Sequence, residues 1–474
     1  VDRLAELEAS LPEGPVRDNV ARMRICNGNI IDKPPESFLE VCQWIAWANM
    51  LNRTYDRAGA GCQLDTLLYP YYIKDVSSGI ISPEEAGFII ACLLINDPTY
   101  YQIGGPDAVT GEDVTNELSY IILEAAHSLK TTVNLTIRCF DKMDRRLFHR
   151  GIAILLEDKH ACPRFSGDKA LVSGFMKNGY SEQLARQRIA VGCNWMSLPG
   201  REYTLNDLVK VNMAKVFEVA FYECAQAGEM STDRLYQCFA HHLRRAVDCL
   251  KEGIDFHLRN QYKNAPELVL NLMSHGPIEK GLDVSHGGAQ YYNIAIDGAG
   301  IAVVADSFAA LEQRIEREHR LGWTECIEAV RSNFEGERGE YIRRMLSASC
   351  RYGQGGSIAD LWAVKISELF THVVADTRTP DGYLTIPGLF SWANTIAFGK
   401  TVGATPNGRK AGEPINHGAN PNPGFRRDGA FSAMGAAIAS VQPGRGNTAP
   451  WQLELDLTMV DNEEAVKNIA AVID

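Results

Sequence analysis

A cysteine in a loop of small residues is the most reactive group that the sequence presents. Cys193 follows a short apolar run, residues 188–191, and precedes a Pro–Gly turn at residues 199–200. A cysteine in a tight loop at the end of a buried strand is placed to project into a cavity. The alternative is an ordinary buried cysteine that packs as a small apolar residue. Position alone leaves both interpretations open.

The sequence contains none of the common phosphate-binding, metalloprotease or serine-hydrolase motifs. The twelve cysteines form no Cys-x-x-Cys pair, which predicts reduced thiols that are mostly buried. His241 and His242 are adjacent in an amphipathic segment. Adjacent residues of a helix point to different sides, so the two are not expected to share a metal ion, and no metal ligands are assigned.

Composition excludes several classes of protein. Of 474 residues, 47 are Lys or Arg and 59 are Asp or Glu, which gives a net charge of −12. An acidic chain is not expected to bind nucleic acid. No apolar run approaches the roughly 18 residues of a membrane span. We therefore expect neither a nucleic acid nor a membrane as partner, and the unpaired cysteines predict a cytoplasmic protein.

Strands that alternate with helices predict an α/β fold without an internal linker. Alternation of apolar and polar residues predicts a strand over residues 132–138, and shorter apolar runs predict two more. The strands are expected at 132–138, 188–191 and 290–296, and the main helices at 113–129, 231–250 and 307–319. A further helix is expected to start between Thr204 and Asp207, and Trp44 and Trp47 are expected in the core.

Six ordered segments carry the most specific pattern in the chain. They are residues 64–72 (LDTLLYPYY), 113–119 (DVTNELS), 135–138 with 163–168 (LTIR and PRFSGD), 192–193 (GC), 287–293 with 306–307 (GGAQYYN and DS), and 405–414 (TPNGRKAGEP). Together they resemble the pyruvate formate-lyase-like glycyl radical enzymes. The resemblance extends over most of the chain, and its last segment is the most distinctive.

The resemblance implies a fold. It is a ten-stranded α/β barrel of two antiparallel half-barrels surrounded by helices. Residues 1–474 would form part of one such barrel domain, incomplete at both ends. One loop would carry Cys193 into the barrel centre, and a second loop near the C-terminus would carry a radical glycine. The segment 406–414 is expected to form a loop near the active site, with Arg409 in a structural role.

The resemblance also implies a chemistry. A separate radical S-adenosylmethionine enzyme with an iron–sulfur cluster installs the glycyl radical, so no cofactor is expected to be bound directly. The radical takes a hydrogen atom from Cys193, and the resulting thiyl radical takes one from the substrate. A closed barrel protects such intermediates from quenching. Anaerobic metabolism and a homodimer are further expectations from the family.

One departure concerns the radical glycine itself. The family signature, close to Arg-Val-x-Gly-Tyr, is not found in the chain. Residues 171–175 (LVSGF) look similar, but they precede Cys193 and lack the arginine. We therefore expect the glycine and its C-terminal domain beyond Asp474, which makes this chain a fragment.

A second departure concerns the acid–base group. Many family members carry Glu two residues after the cysteine as a general base, and this chain has Trp195 there. Because an indole cannot transfer that proton, Asn194 and Trp195 are expected to shape the pocket. Glu202 or Asp168 are candidate replacements for the base. Asp168, Arg138 and Asp113 are candidate substrate contacts, or else surface charges and barrel ion pairs.

These observations favour a glycyl radical lyase or dehydratase with a small polar substrate. The main alternative is a decarboxylase or a C–C bond-forming member, because neither needs the missing base. A formate acetyltransferase activity is disfavoured because those enzymes use two adjacent cysteines. A non-catalytic paralogue and a thiolate hydrolase with a histidine partner complete the alternatives.

Overall fold

The computed structural model of the chain describes residues 1–54, 62–131, 133–192, 195–423 and 431–473. The two loop residues Cys193 and Asn194 lie outside this set, as does Thr132 at the start of one expected strand. Among the described residues no helix combines the length and the apolar character needed to span a membrane.

The first half of the chain folds around a four-stranded parallel sheet. Its strands pair in the order β1-β2-β3-β4 and are β1 (Cys62–Gln63), β2 (Tyr100–Ile103), β3 (Asn134–Cys139) and β4 (Arg164–Gly167). On β3, Leu135, Thr136 and Ile137 are all fully buried. The alternation of apolar and polar residues that predicted this strand therefore does not separate a buried face from a solvent-exposed one. Both faces are buried because helices cover both faces of a parallel sheet.

The helices of this half connect and cover its strands. They are α1 (Asp2–Ser10), α2 (Pro15–Asn29), α3 (Phe38–Thr54), α4 (Leu64–Ser77), α5 (Pro83–Asn96), α6 (Glu117–Ser128), α7 (Arg145–Asp158), α8 (Asp168–Lys177) and α9 (Glu182–Ala185). Helix α6 starts four residues later than predicted. Asn116 caps it by accepting from the Leu118 N–H, and the Ser119 hydroxyl accepts from the Asn116 N–H.

Two further sheets follow. A short antiparallel hairpin pairs β5 (Ile189–Val191) with β6 (Trp195–Ser197). A three-stranded parallel sheet then joins β7 (Glu202–Asn212), β8 (Tyr291–Ala299) and β9 (Thr385–Gly388). The described residues thus contribute nine strands, against ten in the predicted barrel.

The prediction that a helix starts between Thr204 and Asp207 is wrong. Residues Glu202–Asn212 form strand β7, which pairs with β8 from Glu202–Tyr291 to Asn212–Ala299 around a bulge. The helix begins only at Met213, where the Asn212 side chain accepts from the Lys215 N–H. Val209 matches the helical spacing of Met213 and Phe217 by coincidence, since it lies on the strand that leads into the helix.

The second half is built around its own helices. They are α10 (Met213–Ala227), α11 (Thr232–Asn264), α12 (Leu268–Met273), α13 (Pro277–Lys280), α14 (Ile301–Leu311), α15 (Trp323–Arg331), α16 (Gly336–Ser347), α17 (Ile358–Ala375), α18 (Asn394–Lys400), α19 (Phe431–Ser440) and α20 (Glu463–Ile473). Every residue of α14 is buried. The prediction placed this helix at 307–319, because a segment buried on all sides has no periodicity to mark its start.

Two large hydrophobic cores result, one for each parallel sheet. One surrounds β7 and β8 with α10, α11, α14 and α17, and the other surrounds β2 and β3 with α4 to α7. Helix α20, at the end of the chain, returns to pack Ile469 in the first-half core. The prediction that Trp44 and Trp47 lie in the core is wrong. Their side chains are on the outer side of α3, where 42% and 47% of their surfaces are exposed.

The contact between Gly174 of α8 and the backbone of residues 445–446 generates a stability prediction. A methyl group added at Gly174 would overlap the Gly446 backbone and lie 2.7 Å from the Arg445 carbonyl carbon. We expect Gly174→Ala to lower the free energy of unfolding by about 1–3 kcal/mol through overpacking. Gly253→Ala, in the open interior of α11, is the control and should raise it by about 0.5–1 kcal/mol. Urea unfolding measures both, and an unchanged midpoint for Gly174→Ala would contradict the packing.

Candidate active site

The hairpin β5–β6 lies between the two parallel sheets and is held from both sides. On the first-sheet side, the buried Gln102 of β2 accepts from the Ala190 N–H at 3.0 Å and donates to the Arg188 carbonyl at 3.2 Å. On the other side, Asn293 of β8 donates to the Met196 carbonyl at 3.1 Å. The connection between the two strands contains Cys193. Both ends of the cysteine loop are therefore fixed by the barrel strands.

Gly192 and Trp195 close this loop. Gly192 has a φ of +58°, and Arg164 of β4 donates to its carbonyl at 3.0 Å. A Cβ at this position would lie 2.6 Å from the Trp195 ring, so the indole packs directly on the glycine backbone. Trp195 is 7% exposed and its ring meets Phe390 edge-on at 4.7 Å. The indole is therefore buried between the Gly192 backbone and Phe390, and its role as a pocket wall stays a prediction.

A buried carboxyl, Asp297 of β8, lies beside the indole. Asn447 donates to its Oδ1 at 3.2 Å. Its Oδ2 and the Trp195 Nε1 are both buried without a hydrogen-bond partner among the described residues. Burial raises the pKa of Asp297 well above its ordinary value, against the opposing influence of Lys210, Asn447 and the Trp195 indole. Burial therefore makes this carboxyl easier to protonate than an exposed aspartate.

Gly388 makes room for this carboxyl. It pairs with Asp297 across β8 and β9, and a Cβ there would overlap the Asp297 Oδ1 and lie 2.6 Å from the Asn447 amide nitrogen. Any larger residue at position 388 would displace Asp297 or Asn447.

A histidine completes the wall beyond Phe390. The His417 ring lies 5.6 Å from the Phe390 ring, and its Nδ1 lies 3.0 Å from the Ser391 hydroxyl. Partial burial lowers the pKa of His417 below its ordinary value of 6.5, so its neutral form dominates at neutral pH. Phe390 and the neutral His417 thus form an aromatic, uncharged side of the site, with the Ser391 hydroxyl next to the imidazole.

Glu202 is buried at the start of β7, close to the hairpin. It accepts from the Tyr180 hydroxyl at 2.8 Å and from the Thr204 hydroxyl at 2.6 Å, and Thr204 lies 2.7 Å from the Ser197 hydroxyl on β6. Burial raises the pKa of Glu202 to about 7 despite these hydrogen bonds. A hydrogen-bonded path therefore connects this carboxyl with the hairpin.

Arg138 and Asp168 form a buried ion cluster with Arg188. Arg138 reaches both oxygens of Asp168, at 3.1 Å and 2.6 Å, and Arg188 also donates to its Oδ1. Both oxygens of the carboxylate are thus occupied by guanidinium groups. Substrate contact by Arg138 or Asp168 remains a prediction, while the contacts present join β3, α8 and β5.

Asp113 lies in the loop before α6, where its contacts are local. Its Oδ1 accepts from the Thr115 N–H and hydroxyl, and its Oδ2 accepts from the Asp144 N–H at 2.7 Å. These bonds shape the loop and the start of α7. The structure does not bring Asp113 into contact with Trp195 or Asp297.

The segment 406–414 forms a loop along an open cleft of about 470 Å³. The Arg409 guanidinium donates to the carbonyls of Gly403, Gly399 and Glu413 within and next to this loop. These bonds to backbone carbonyls agree with the structural role expected for Arg409. Arg351 and Asn422 line the same cleft and both donate to the buried Asp306.

Sequence reasoning missed Asp297, Arg188 and His417. Asp297 ends a run of apolar residues, IAI, on a strand that is buried on both sides. A charged residue inside such a run is the signal that could have identified it. Arg188 carried a similar signal directly before the apolar residues of β5.

Comparison with known proteins identifies the class. Residues 2–399 match the family model described as pyruvate formate lyase-like. The (2S)-3-sulfopropanediol dehydratase of Klebsiella oxytoca is 25% identical over 460 residues, which are 88% of this chain and 55% of that protein. The chain thus spans little more than half the length of this curated relative.

Solved structures agree with this match. The Roseburia inulinivorans structure described for 1,2-propanediol dehydration superposes with a TM-score of 0.93 at 22% identity. A glycyl radical enzyme from Archaeoglobus fulgidus superposes with a TM-score of 0.90 at 25% identity. Each comparison covers 100% of this chain and 64% of the other.

The fold and the site therefore define a barrel of the glycyl radical enzyme class, and the predicted α/β fold is confirmed. The chain belongs to the pyruvate formate lyase-like family.

The raised pKa of Glu202 generates a prediction for stability against pH. A carboxyl whose pKa rises from 4.5 to about 7 on folding stabilises the fold less as pH increases through that window. The difference corresponds to about 3 kcal/mol. Glu202→Gln removes the titration, so its urea midpoint should match the wild type near pH 5 and exceed it at pH 8. Equal midpoints at both pH values would contradict the assignment.

Proposed function

We propose that the complete protein is a glycyl radical lyase that removes a leaving group from a small polar organic substrate. The observation that carries the proposal is the β5–β6 hairpin, whose connection contains Cys193 and whose ends are held by both parallel sheets. Family membership supports the radical chemistry. The relative that acts as a sulfopropanediol dehydratase supports an elimination.

The reaction is a relay of hydrogen atoms with Cys193 at its centre. A thiyl radical on Cys193 removes a hydrogen atom from a substrate C–H bond, forming S–H and a carbon radical. The neighbouring carbon then loses its leaving group, which departs with a proton. The product radical takes the hydrogen atom back from the Cys193 S–H and restores the thiyl. The net change is elimination of a neutral molecule, and no oxidant or reductant is consumed.

The elimination step needs a group that transfers a proton, and Trp195 cannot supply it. We assign this role to Asp297. Asp168 and Glu202 have both carboxylate oxygens engaged by neighbouring side chains. The Oδ2 of Asp297 makes no hydrogen bond of ordinary geometry with a described residue, and only the Trp195 indole acts on this carboxyl from the side of the hairpin. A buried carboxyl with a raised pKa can give a proton to the leaving group and recover one from the substrate.

The remaining parts of this proposal concern partners. The radical glycine would belong to a part of the protein downstream of Asp474. A separate radical S-adenosylmethionine enzyme would install the radical, and the barrel itself would bind no cofactor directly. We further propose a homodimer that works in the cytoplasm of an anaerobic cell, with Asn194 beside Cys193 as a pocket residue.

A cysteine substitution tests the relay. In the complete protein, treated anaerobically with its activating enzyme, Cys193→Ala should retain the glycyl electron paramagnetic resonance signal and lose turnover entirely. Cys249→Ala, an exposed cysteine of α11, is the matched control and should keep both. Substrates to screen are diols, hydroxylated amino acids and hydroxyalkyl sulfonates. Turnover by Cys193→Ala would refute the assignment.

An isosteric substitution tests the proton-transfer group. Asp297→Asn keeps the shape and the contact with Asn447 but removes the transferable proton. We expect kcat to fall about 10²–10⁴-fold with an unchanged radical yield. Asp381→Asn, which alters a surface ion pair with Arg259, should leave kcat unchanged. An Asp297→Asn enzyme with wild-type kcat would exclude Asp297 from proton transfer.

A decarboxylase is the second candidate, favoured by one observation. Trp195, two residues after Cys193, is a buried apolar side chain, and loss of CO₂ from a carboxylate substrate does not require the glutamate base. Arylacetates therefore belong in the same substrate screen. Turnover of an arylacetate that survives Asp297→Asn would favour this candidate over elimination.

A further inference from the structure

The hairpin of α10 and α11 contains a cluster of metal-binding side chains remote in sequence from the candidate active site. Helix α10 ends at Gly228, which has a φ of +73°, and α11 starts after the Ser231 cap. The two helices therefore run antiparallel and pack against each other. Glu223 and Cys224 lie on α10, and Cys238 and His242 lie on α11.

The spacing of these residues brings their donor atoms together. Cys238 and His242 are four residues apart and share one face of α11. The His242 Nε2 lies 2.7 Å from the Glu223 Oε2. One donor atom from each of Glu223, Cys238 and His242 lies within 4.8 Å of the other two. Ligands of a tetrahedral zinc ion lie about 3.3–3.8 Å apart, as its bond lengths require.

A second thiol lies next to the first. The Cys224 thiol donates weakly to the Arg234 carbonyl at 3.9 Å, and it interacts with the Cys238 thiol. Burial, together with Cys224 and Glu223, raises the pKa of Cys238 to about 12. Zinc binds cysteine as the thiolate, so a bound ion would take the place of the Cys238 S–H proton.

The cluster is closed on one side and open on the other. Cys224 and Cys238 are buried, and the His242 side chain is 16% exposed. The Glu223 side chain is 56% exposed. An ion can enter past Glu223 without separation of the helices, and rotation of this one side chain adjusts the distances.

We propose that Glu223, Cys238 and His242 bind one zinc ion, with Cys224 or a water molecule as the fourth ligand. Thiolate, imidazole and carboxylate are the donor types that zinc takes, and the mixture of sulfur and nitrogen disfavours magnesium or calcium. The ion would tie the outer helix hairpin together. His241, the neighbour that the sequence brings to notice, lies outside this donor set.

Cobalt(II) is the probe that tests the site, because it replaces zinc and reports its ligands by colour. The purified complete protein, reduced and metal-free, is titrated with Co²⁺ under anaerobic conditions. We expect one equivalent to give a sulfur-to-cobalt charge-transfer band and strong visible bands of tetrahedral cobalt, both abolished by added Zn²⁺. Cys238→Ser and His242→Ala should each lose the charge-transfer band or weaken binding at least tenfold.

His241→Ala and Cys249→Ala are the matched controls and should bind Co²⁺ like the wild type. Glu223→Gln changes an exposed side chain, so it tests the site even if the cysteine variant does not fold, and it should weaken binding at least tenfold. Zinc should raise the Tm of the wild type but not of these site variants. Absence of the charge-transfer band, or an unchanged band with wild-type affinity in Cys238→Ser and His242→Ala, would reduce the cluster to an ion pair beside two thiols. Neither result depends on radical activity.

Discussion

The buried carboxylate of Asp168, shared by Arg138 and Arg188, is the interaction on which the geometry of the site depends. It joins β3, the first residue of α8 and the residue that precedes β5. Burial lowers the pKa of Arg188 to about 10, although Asp168 opposes this change. Two cations and one anion in a dry interior are costly to separate, since removal of one partner leaves a charge without compensation. The start of the cysteine hairpin is thereby fixed to the first sheet.

The rest of the site follows from this anchor. With β5 fixed, Gln102 and Asn293 set the register of the hairpin against the two parallel sheets. Trp195 then packs on Gly192 and against Phe390, and its indole is close enough to Asp297 to oppose the rise in the pKa of that carboxyl. Trp195 stands at the position of the family's glutamate, and a buried aspartate, Asp297, lies beside it. The large ring packs on the Gly192 backbone, and under the proposed function Asp297 would supply the acidic group from β8.

Much of the fold was predictable because its motifs are local. The alternation over residues 132–138 and the apolar run of β5 each specify an element from neighbouring residues. The errors arose where tertiary burial overrides local pattern. Val209 lies on strand β7 although its spacing to Met213 and Phe217 suits a helix. Helix α14 is buried on every side, so its sequence shows no apolar period that would mark its bounds.

The candidate site was predictable only in part. Cys193 and Trp195 are adjacent in sequence and belong to one motif, whereas Asp297 and His417 reach the same region from distant strands and loops. No spacing along a single sequence relates residues 195, 297 and 417, because the barrel brings them together. Arg138 and Asp168 were found as charged residues, but their mutual contact with Arg188 is a property of the folded sheet.

Hydrogen exchange of the radical itself provides the most direct test of Cys193 as the relay. The activated complete protein is transferred to D₂O without substrate, and the glycyl signal is followed by electron paramagnetic resonance. If Cys193 exchanges hydrogen with the radical glycine, its solvent-exchangeable S–H carries deuterium to the glycine Cα, and the proton-split doublet collapses to a narrower signal. Cys193→Ala should keep the doublet. Equally fast collapse in wild type and Cys193→Ala would show that another group exchanges with the radical, and would contradict the role of Cys193.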